Sequence, residues 1–294
     1  MYSQVALTMQ GNGGVLVMRG LWRVQRTVSK WTTPDVGPDP FDSAAVLLRS
    51  IWRSGAATSE IYPVYLYGVL CAERTARACA VERFSVAEMG VATGRGLLGL
   101  QEIARIVASR SGIGIDVVGF DTGEGLPPPT DPRDVPYGLA TGDFRMDPSS
   151  LRARLAPTTQ LILGDVAVTV PDYLETARSP LRFIANDLDY YTSTINSLRP
   201  LSELPAEQLL PRIALYFDDL LGYPYNRMNG EYAAIDEFNR LNGARIIAKV
   251  EGLRWRIGTP FNAQPWPEMF YVLENRDHPQ FAVPEREHGR ALVI

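Results

Sequence analysis

Lysine, histidine and cysteine are scarce in this sequence, which holds Lys30 and Lys249, His278 and His288, and Cys71 and Cys79. Each scarcity removes a chemistry. The two cysteines stand eight residues apart in a helical-looking stretch, and two turns of one helix separate them too far for a disulfide. They read as small buried apolar residues in a reducing compartment. No zinc-ligand spacing occurs. No lysine lies between Lys30 and Lys249 to act as a base, and both histidines fall near the C-terminus. With 29 basic and 33 acidic residues and a net charge of -4, the chain lacks the electrostatic footprint of a nucleic-acid binder. Although 46% of its residues are apolar, no apolar run approaches the roughly 20 residues of a membrane span, and the first residues lack a basic region ahead of an apolar core. The expectation is a cytoplasmic protein with neither nucleic acid nor membrane as partner.

What is present is an alternation of strand and helix patterns. The 294 residues suffice for one large α/β domain plus a modest extension. Residues 1–60 contain early glycines, the turn-rich Thr33–Pro40, and apolar faces at Leu21, Trp22, Val24 and Ala44–Trp52; they read as a helical extension or lid. From 61 to 294 the chain reads as one domain. Tyr62–Arg83 has helical periodicity, with Tyr62, Tyr65 and Tyr67 at its start. They pack against the sheet, or one of them lines a ligand cleft. Apolar strands are then expected before Glu88, at Gly114–Asp121, Leu161–Asp165, Leu181–Asp187 and Arg212–Asp219, with final strands at Ala244–Val250 and Met269–Leu273. Near-continuous apolar strands separated by helices predict a doubly wound, mostly parallel seven-stranded sheet covered on both faces.

Two features carry chemistry. Phe84–Gln101 combines a strand, a turn with Gly90, Gly94 and Gly96, and a helix; glycines there let backbone approach a nucleotide or nucleoside closely. Glu88 ends the strand. Strand after strand likewise ends in an acid: Glu88, Asp121, Asp165, Asp187, and Asp218 with Asp219. Ligands of open α/β sheets bind outside these strand ends. One such acid is as readily a helix cap, but five strands with the feature collect charge that a cationic ligand, a metal, or both would balance.

The runs Glu88–Gly96, Gly119–Pro127, Asp187–Thr194 and Phe217–Asp219 resemble class I S-adenosylmethionine-dependent methyltransferases, within them the macrocin O-methyltransferase group. The resemblance covers roughly Glu60 to Asn239; its first motif is widely shared, and the combination of Gly119–Pro127 with Asp187–Thr194 and Phe217–Asp219 is the discriminating part. It implies a Rossmann-like methyltransferase fold and an O-methyltransferase acting on a hydroxylated small molecule, a sugar or secondary metabolite. Glu88, Gly90, Ala92, Thr93 and Gly94 would hold the methionyl part and ribose edge of S-adenosylmethionine, Asp121 the ribose hydroxyls, and Asp165 the adenine amine. Asp187, Asp218 and Asp219 would hold Mg2+ or another divalent cation, as hard oxygen donors suit. The group is often oligomeric, so self-association is left open.

The chain departs from catechol-type relatives in having no lysine to serve as base. Arginine cannot replace it, which leaves Asp187, Asp189 or a metal-bound hydroxide, with Tyr190 or Tyr191 as weaker options. His278 reads as a surface residue, and Thr192–Thr194 as a cap for the helix that follows. Two other readings stay open. Gly94-x-Gly96-x-x-Gly99 has dinucleotide-binding spacing, with Asp121 at a fitting distance for a ribose acid, which suits an oxidoreductase. A non-catalytic protein that keeps the fold as a binding module is the other.

Overall fold

Every residue of β1 (Arg83–Met89) after the first is buried, as a strand flanked on both faces by helices must be. It lies at the centre of a seven-stranded sheet in the order β3-β2-β1-β4-β5-β7-β6. Its parallel neighbours are β2 (Gly114–Asp121) and β4 (Leu181–Asn186). Beyond them lie β3 (Thr159–Leu163) and β5 (Arg212–Phe217), also parallel. The last strand, β7 (Phe270–Asn275), inserts antiparallel between β5 and β6 (Arg245–Lys249). The computed structural model describes residues 40–55 and 61–282 of the chain. The reading of residues 1–60 as an extension falls mostly outside them, as do Leu21, Trp22 and His288.

The strand order reverses direction at β1, where β2 leads one way and β4 the other. Parallel strands need crossover helices. The connection from β1 to β2 is α3 (Arg95–Ser111), which packs against α2 (Pro63–Ala78). α5 (Val166–Thr176), α6 (Tyr191–Glu203) and α7 (Gly230–Leu241) follow β3, β4 and β5 in turn and contact one another in series. The doubly wound α/β architecture expected from the sequence is therefore the one observed. The strands at the third, fourth and fifth expected acids are shorter than read: β3, β4 and β5 stop at Leu163, Asn186 and Phe217, so Asp165, Asp187, Asp218 and Asp219 stand on the loops just beyond. Neither cysteine forms a disulfide. Among the described residues no helix is long and apolar enough to cross a membrane.

α2 is the helix that sets the cleft wall. Pro63 opens it with a φ already suited to a first turn. Twelve of its residues are buried, so it is covered on both sides: by the sheet and by α1 (Pro40–Arg53). Leu48 and Ile51 of α1 join the core, and Arg49 donates to the carbonyl of Ile257 at 2.5 Å. Close approach of α2 to β4 depends on Gly68, where an added Cβ would meet the ring of Phe183 at 2.2 Å. Phe183 is fully buried and has nowhere to go. Gly68→Ala should therefore overpack this contact and destabilise the protein by about 1–3 kcal/mol, read as a lower urea midpoint at unchanged m-value; an unshifted midpoint would show that α2 can move away.

Candidate functional site

The acids at the carboxyl ends of β1, β4 and β5 are brought together by the backbone. Asp187 N–H donates to Met89 O at 2.8 Å and Asp218 N–H to Asn186 O at 3.0 Å. These bonds continue the parallel ladders one residue past the strands and set the side chains of Asp187 and Asp218 next to each other. Asp187, Asp218 and Asp219 each offer an oxygen within 4.8 Å of the others. Asp187 and Asp218 open to the cleft, and Asp219 is half-buried. A cavity of about 190 Å³ lies against Asp187 and Asp218, walled also by Glu88, Ala92 and Thr93. Three phenols from α2, its leading residue and β5, Tyr65, Tyr62 and Tyr216, complete the wall with Arg95.

Glu88 is only 2% exposed. Tyr65 donates its hydroxyl to Oε1 at 2.7 Å, and Oε2 has no hydrogen-bond partner. Burial pushes the Glu88 carboxyl up to about 8; the Tyr65 bond works against this, and Asp121 and Asp218 add to it. The Glu88 carboxyl also abuts the first turn of α3. A Cβ at Gly96 would stand 1.7 Å from Oε1, so only glycine fits there. Of the tyrosines at the start of α2, Tyr62 and Tyr65 line the cavity, whereas Tyr67 packs on Trp266 and Phe270.

Asp121 holds the glycine turn in shape. Its Oδ2 accepts from Val91 N–H at 2.8 Å and Ala92 N–H at 2.9 Å, and its Oδ1 from Gly123 N–H at 2.6 Å. The turn then passes through Gly90 (φ 83°), Ala92 (φ 46°) and Gly94 (φ 87°) into α3. Asp165 stands apart at the end of β3, exposed, and caps α5 by accepting from Ala167 N–H at 2.8 Å.

Asp189 adopts the left-handed conformation, with φ 57°, which an aspartate tolerates at modest cost. Its N–H donates to Asp219 Oδ2 at 3.1 Å, and its Oδ1 accepts from the Tyr225 hydroxyl. Asp219 N–H in turn donates to Oε2 of Glu231 at 3.0 Å; Glu231 lies on the first turn of α7 and is fully buried. Tyr216 donates to Asp218 Oδ1. These neutral donors leave the negative charge unbalanced. Burial, then Asp219, Asp218, Glu88 and Asp189, pushes the Asp187 carboxyl well above its usual range. Burial, then Asp189 and Asp218, lifts Asp219 to about 8, with opposing help from Tyr225 and the Asp189 N–H. Water still reaches Asp187 from the cleft side, so crowding by protein on its other sides and like charge both act on it.

Two expectations are corrected. Thr192–Thr194 do not cap α6 through their own side chains. The fully buried Asp134, on the loop after β2, accepts from Thr192 N–H at 2.8 Å and from the Thr192 hydroxyl at 2.9 Å, so the cap comes from elsewhere in the chain. His278 is not a surface residue: it is 9% exposed, accepts from Gln280 N–H through Nδ1, and its pKa is lowered by burial. It follows the antiparallel β7, at the end of the sheet away from the acids.

No family model matches the chain, and no curated protein does. Among solved structures it is similar to the calicheamicin methyltransferase CalS11, at 20% identity over 81% of this chain and 94% of that one, with a TM-score of 0.49. An O-methyltransferase from Bacillus cereus in complex with SAH is similar at 11% identity over 79% and 89%, with a TM-score of 0.37. The mycinamycin-pathway methyltransferase MycE, in complex with Mg and SAH, is similar at 11% identity over 88% and 57%, with a TM-score of 0.38.

The Glu88 carboxyl makes a signed prediction. Its folded-state value of about 8 lies above the 4.5 of a freely solvated glutamate, so the folded state holds a proton that the unfolded state releases. Its contribution to stability is whole below about pH 4.5 and is lost as pH rises to about 8. Glu88→Gln removes that dependence. Between pH 5 and pH 8 the melting temperature of the wild type should fall further than that of the variant, by at least ~4 °C. Parallel curves would show that Glu88 stays ionised throughout.

Proposed function

We propose that the chain is an S-adenosylmethionine-dependent O-methyltransferase, assisted by a divalent cation, acting on a hydroxyl of a small molecule such as a sugar or secondary metabolite, in the manner of the macrocin O-methyltransferase group. The observation that carries this reading is the meeting of two subsites at one cavity: a glycine turn with the buried Glu88 on one side, and the carboxylates of Asp187 and Asp218 on the other, with an oxygen of Asp219 within 4.8 Å of theirs. The first suits the amino-acid and ribose parts of a cationic nucleoside. The second is an all-oxygen donor set of the kind hard divalent cations prefer.

In this reading the glycine turn, kept in shape by Asp121, would hold the amino-acid and ribose parts of the cofactor beside the acids. Asp121 keeps capacity for the ribose hydroxyls beside the amides it already binds, and the exposed Asp165 is reserved for the adenine amine. A cation bound by Asp187, Asp218 and Asp219 would supply Lewis acidity that lowers the pKa of the acceptor hydroxyl. Asp189 N–H fixes Asp219, and Glu231 fixes the backbone of Asp219, so the donor set is held in place before any ligand arrives. A carboxylate, Asp187 or Asp189, takes the hydroxyl proton. S-adenosylmethionine bound there would supply the methyl group, its carbon–sulfur electron pair passing to sulfur as the acceptor oxygen bonds to the carbon, with S-adenosylhomocysteine as the leaving product. Holding the two reactants in line supplies much of the rate.

Calorimetry on the full chain tests this. S-adenosylhomocysteine should bind and NAD should not. Asp187→Asn and Asp219→Asn should weaken Mn2+ binding by at least ~10-fold while leaving S-adenosylhomocysteine affinity within ~2-fold, and Glu88→Gln and Asp121→Asn should do the reverse. Equal loss of both affinities in all four variants would refute two separate subsites. Tight cofactor binding with no methyl transfer to any of a panel of diols, with any divalent metal, would favour a binding module.

A further inference from the structure

Beside the acids lies a surface that the proposed reaction leaves unassigned. It is made by the loop after β2, residues 122–147, and the loop after β5, residues 218–229. Among the described residues nine large apolar side chains are exposed, and five of them fall on these two loops: Tyr137, Phe144, Leu221, Tyr223 and Met228. Tyr223 is 86% exposed and Met228 79%. Apolar side chains scattered singly over a surface mean little, whereas a group of them marks a place where something binds.

The two loops are fastened to each other. Asn229 Nδ2 donates to the Tyr137 hydroxyl at 3.0 Å and to the Pro224 carbonyl at 3.1 Å. An added Cβ at Gly138 would stand 2.5 Å from the ring of Pro224. Met228 rides on a turn in which Asn226 N–H donates to Asn229 Oδ1 at 2.8 Å and Met228 N–H to Asn226 Oδ1 at 2.9 Å. The exposed side chains thus stand on bonded backbone, which lowers the entropy that a ligand must remove on binding them. The surface is also continuous with the candidate site. Tyr225, in the second loop, donates to Asp189, and an added Cβ at Gly230, which follows that loop, would stand 3.0 Å from the Asp189 carbonyl.

Charge decides against an anionic occupant. The three arginines of these loops are already engaged: Arg133 pairs with Asp131 and Glu237, Arg145 donates to the Glu124 carbonyl at 3.2 Å, and Arg227 lies over the Tyr232 ring. At the inner end stand Asp187, Asp189, Asp218 and Asp219, so a phosphate-bearing molecule would meet like charge. We propose that the acceptor carries its reacting hydroxyl on an uncharged, apolar body, and that this body lies on Tyr137, Tyr223 and Met228 while the hydroxyl reaches the acids. The proposal rests on the methyl-transfer reading and names the class of its acceptor: a hydroxylated compound or glycoside with an apolar moiety, not a sugar linked to a nucleotide. Tyrosine rings supply broad apolar contact, and the unbranched methionine thioether adapts to the shape laid on it.

The test measures binding of methyl, butyl and hexyl β-D-glucosides to the full chain by calorimetry, with S-adenosylhomocysteine and Mn2+ present. In the wild type each added methylene should tighten binding about 2- to 4-fold. In the Tyr223→Ser/Met228→Ser double variant the gain should fall below ~1.5-fold per methylene, with S-adenosylhomocysteine affinity within ~2-fold of wild type as the sign that the variant is folded. UDP-glucose should bind more weakly than the hexyl glucoside. No binding by any of the three glucosides, affinity independent of chain length, equal dependence in the double variant, or UDP-glucose as the tighter ligand overturns the proposal. A wild type that sediments as a dimer beside a monomeric double variant gives the surface to a second copy of the chain and overturns it too. Failure of the wild type to bind S-adenosylhomocysteine instead overturns the cofactor reading, and the chain-length series then decides the surface on its own.

Discussion

Like charge gathered at one end of a parallel sheet is the constraint from which the site follows. Parallel pairing points the carboxyl ends of β1, β4 and β5 the same way, and the ladder bonds of Asp187 and Asp218 extend that alignment into the loops. Two unit charges 4 Å apart repel by about 4 kcal/mol at an effective dielectric of 20, and here three carboxylates meet within 4.8 Å. The protein answers with neutral donors: the Tyr216 and Tyr225 hydroxyls and the Asp189 N–H. Such bonds fix geometry without cancelling charge. The remaining way to relieve the repulsion is to take up protons or a cation, and the first is reflected in the raised carboxyls of Asp187 and Asp219.

The second wall depends on the first. Glu88 stands deeper than the aspartates, one strand over, and its burial is possible because α2 reaches across with Tyr65. α2 can lie that close to the sheet because Gly68 yields to Phe183, and α3 can lie that close because Gly96 yields to Glu88. Two missing methyl-sized groups therefore decide how far the helices descend onto the sheet. The cavity is the space left between their first turns and the aspartates.

Much of this was legible in the sequence because it rests on local pattern. The apolar runs and the glycine turn announce a parallel sheet, and the order of acids at strand ends follows from where each run stops. What was not legible depends on contacts distant in the chain. Asp134 caps α6 from a loop nearly sixty residues earlier, and no spacing rule connects it to Thr192. Glu231 reads as an ordinary acid in the first turn of a helix until folding places it under Asp219. Arg95 is hidden for another reason: a lone arginine among glycines looks like a solvated surface residue until folding sets it over the Tyr62 ring at the wall of the cavity. His278 misled in the opposite sense, because an isolated histidine near a chain end gives no sign of the burial that β7 imposes.

The reversed direction of β7 bears on the chemistry. Because it runs against its neighbours, the chain that leaves it emerges at the far end of the sheet, and His278 goes with it. Lys249 ends β6, where it pairs with Glu268 at 2.6 Å, and it does not wall the cavity. Among the described residues, the groups able to accept a proton at the cleft are therefore carboxylates. A carboxylate of ordinary pKa is a weak base for a hydroxyl, and proton transfer is efficient when the two affinities approach each other. Crowding like charges raises the proton affinity of an aspartate toward that match, so the repulsion that the fold tolerates also makes a side chain of this type basic. A cation on Asp187, Asp218 and Asp219 would take back part of that basicity from the residues it touches. Asp189, held off by the Tyr225 hydroxyl on one oxygen and set outside the three, would keep more of it. Its left-handed backbone turns the chain away from the line of β4 and gives it that separate position.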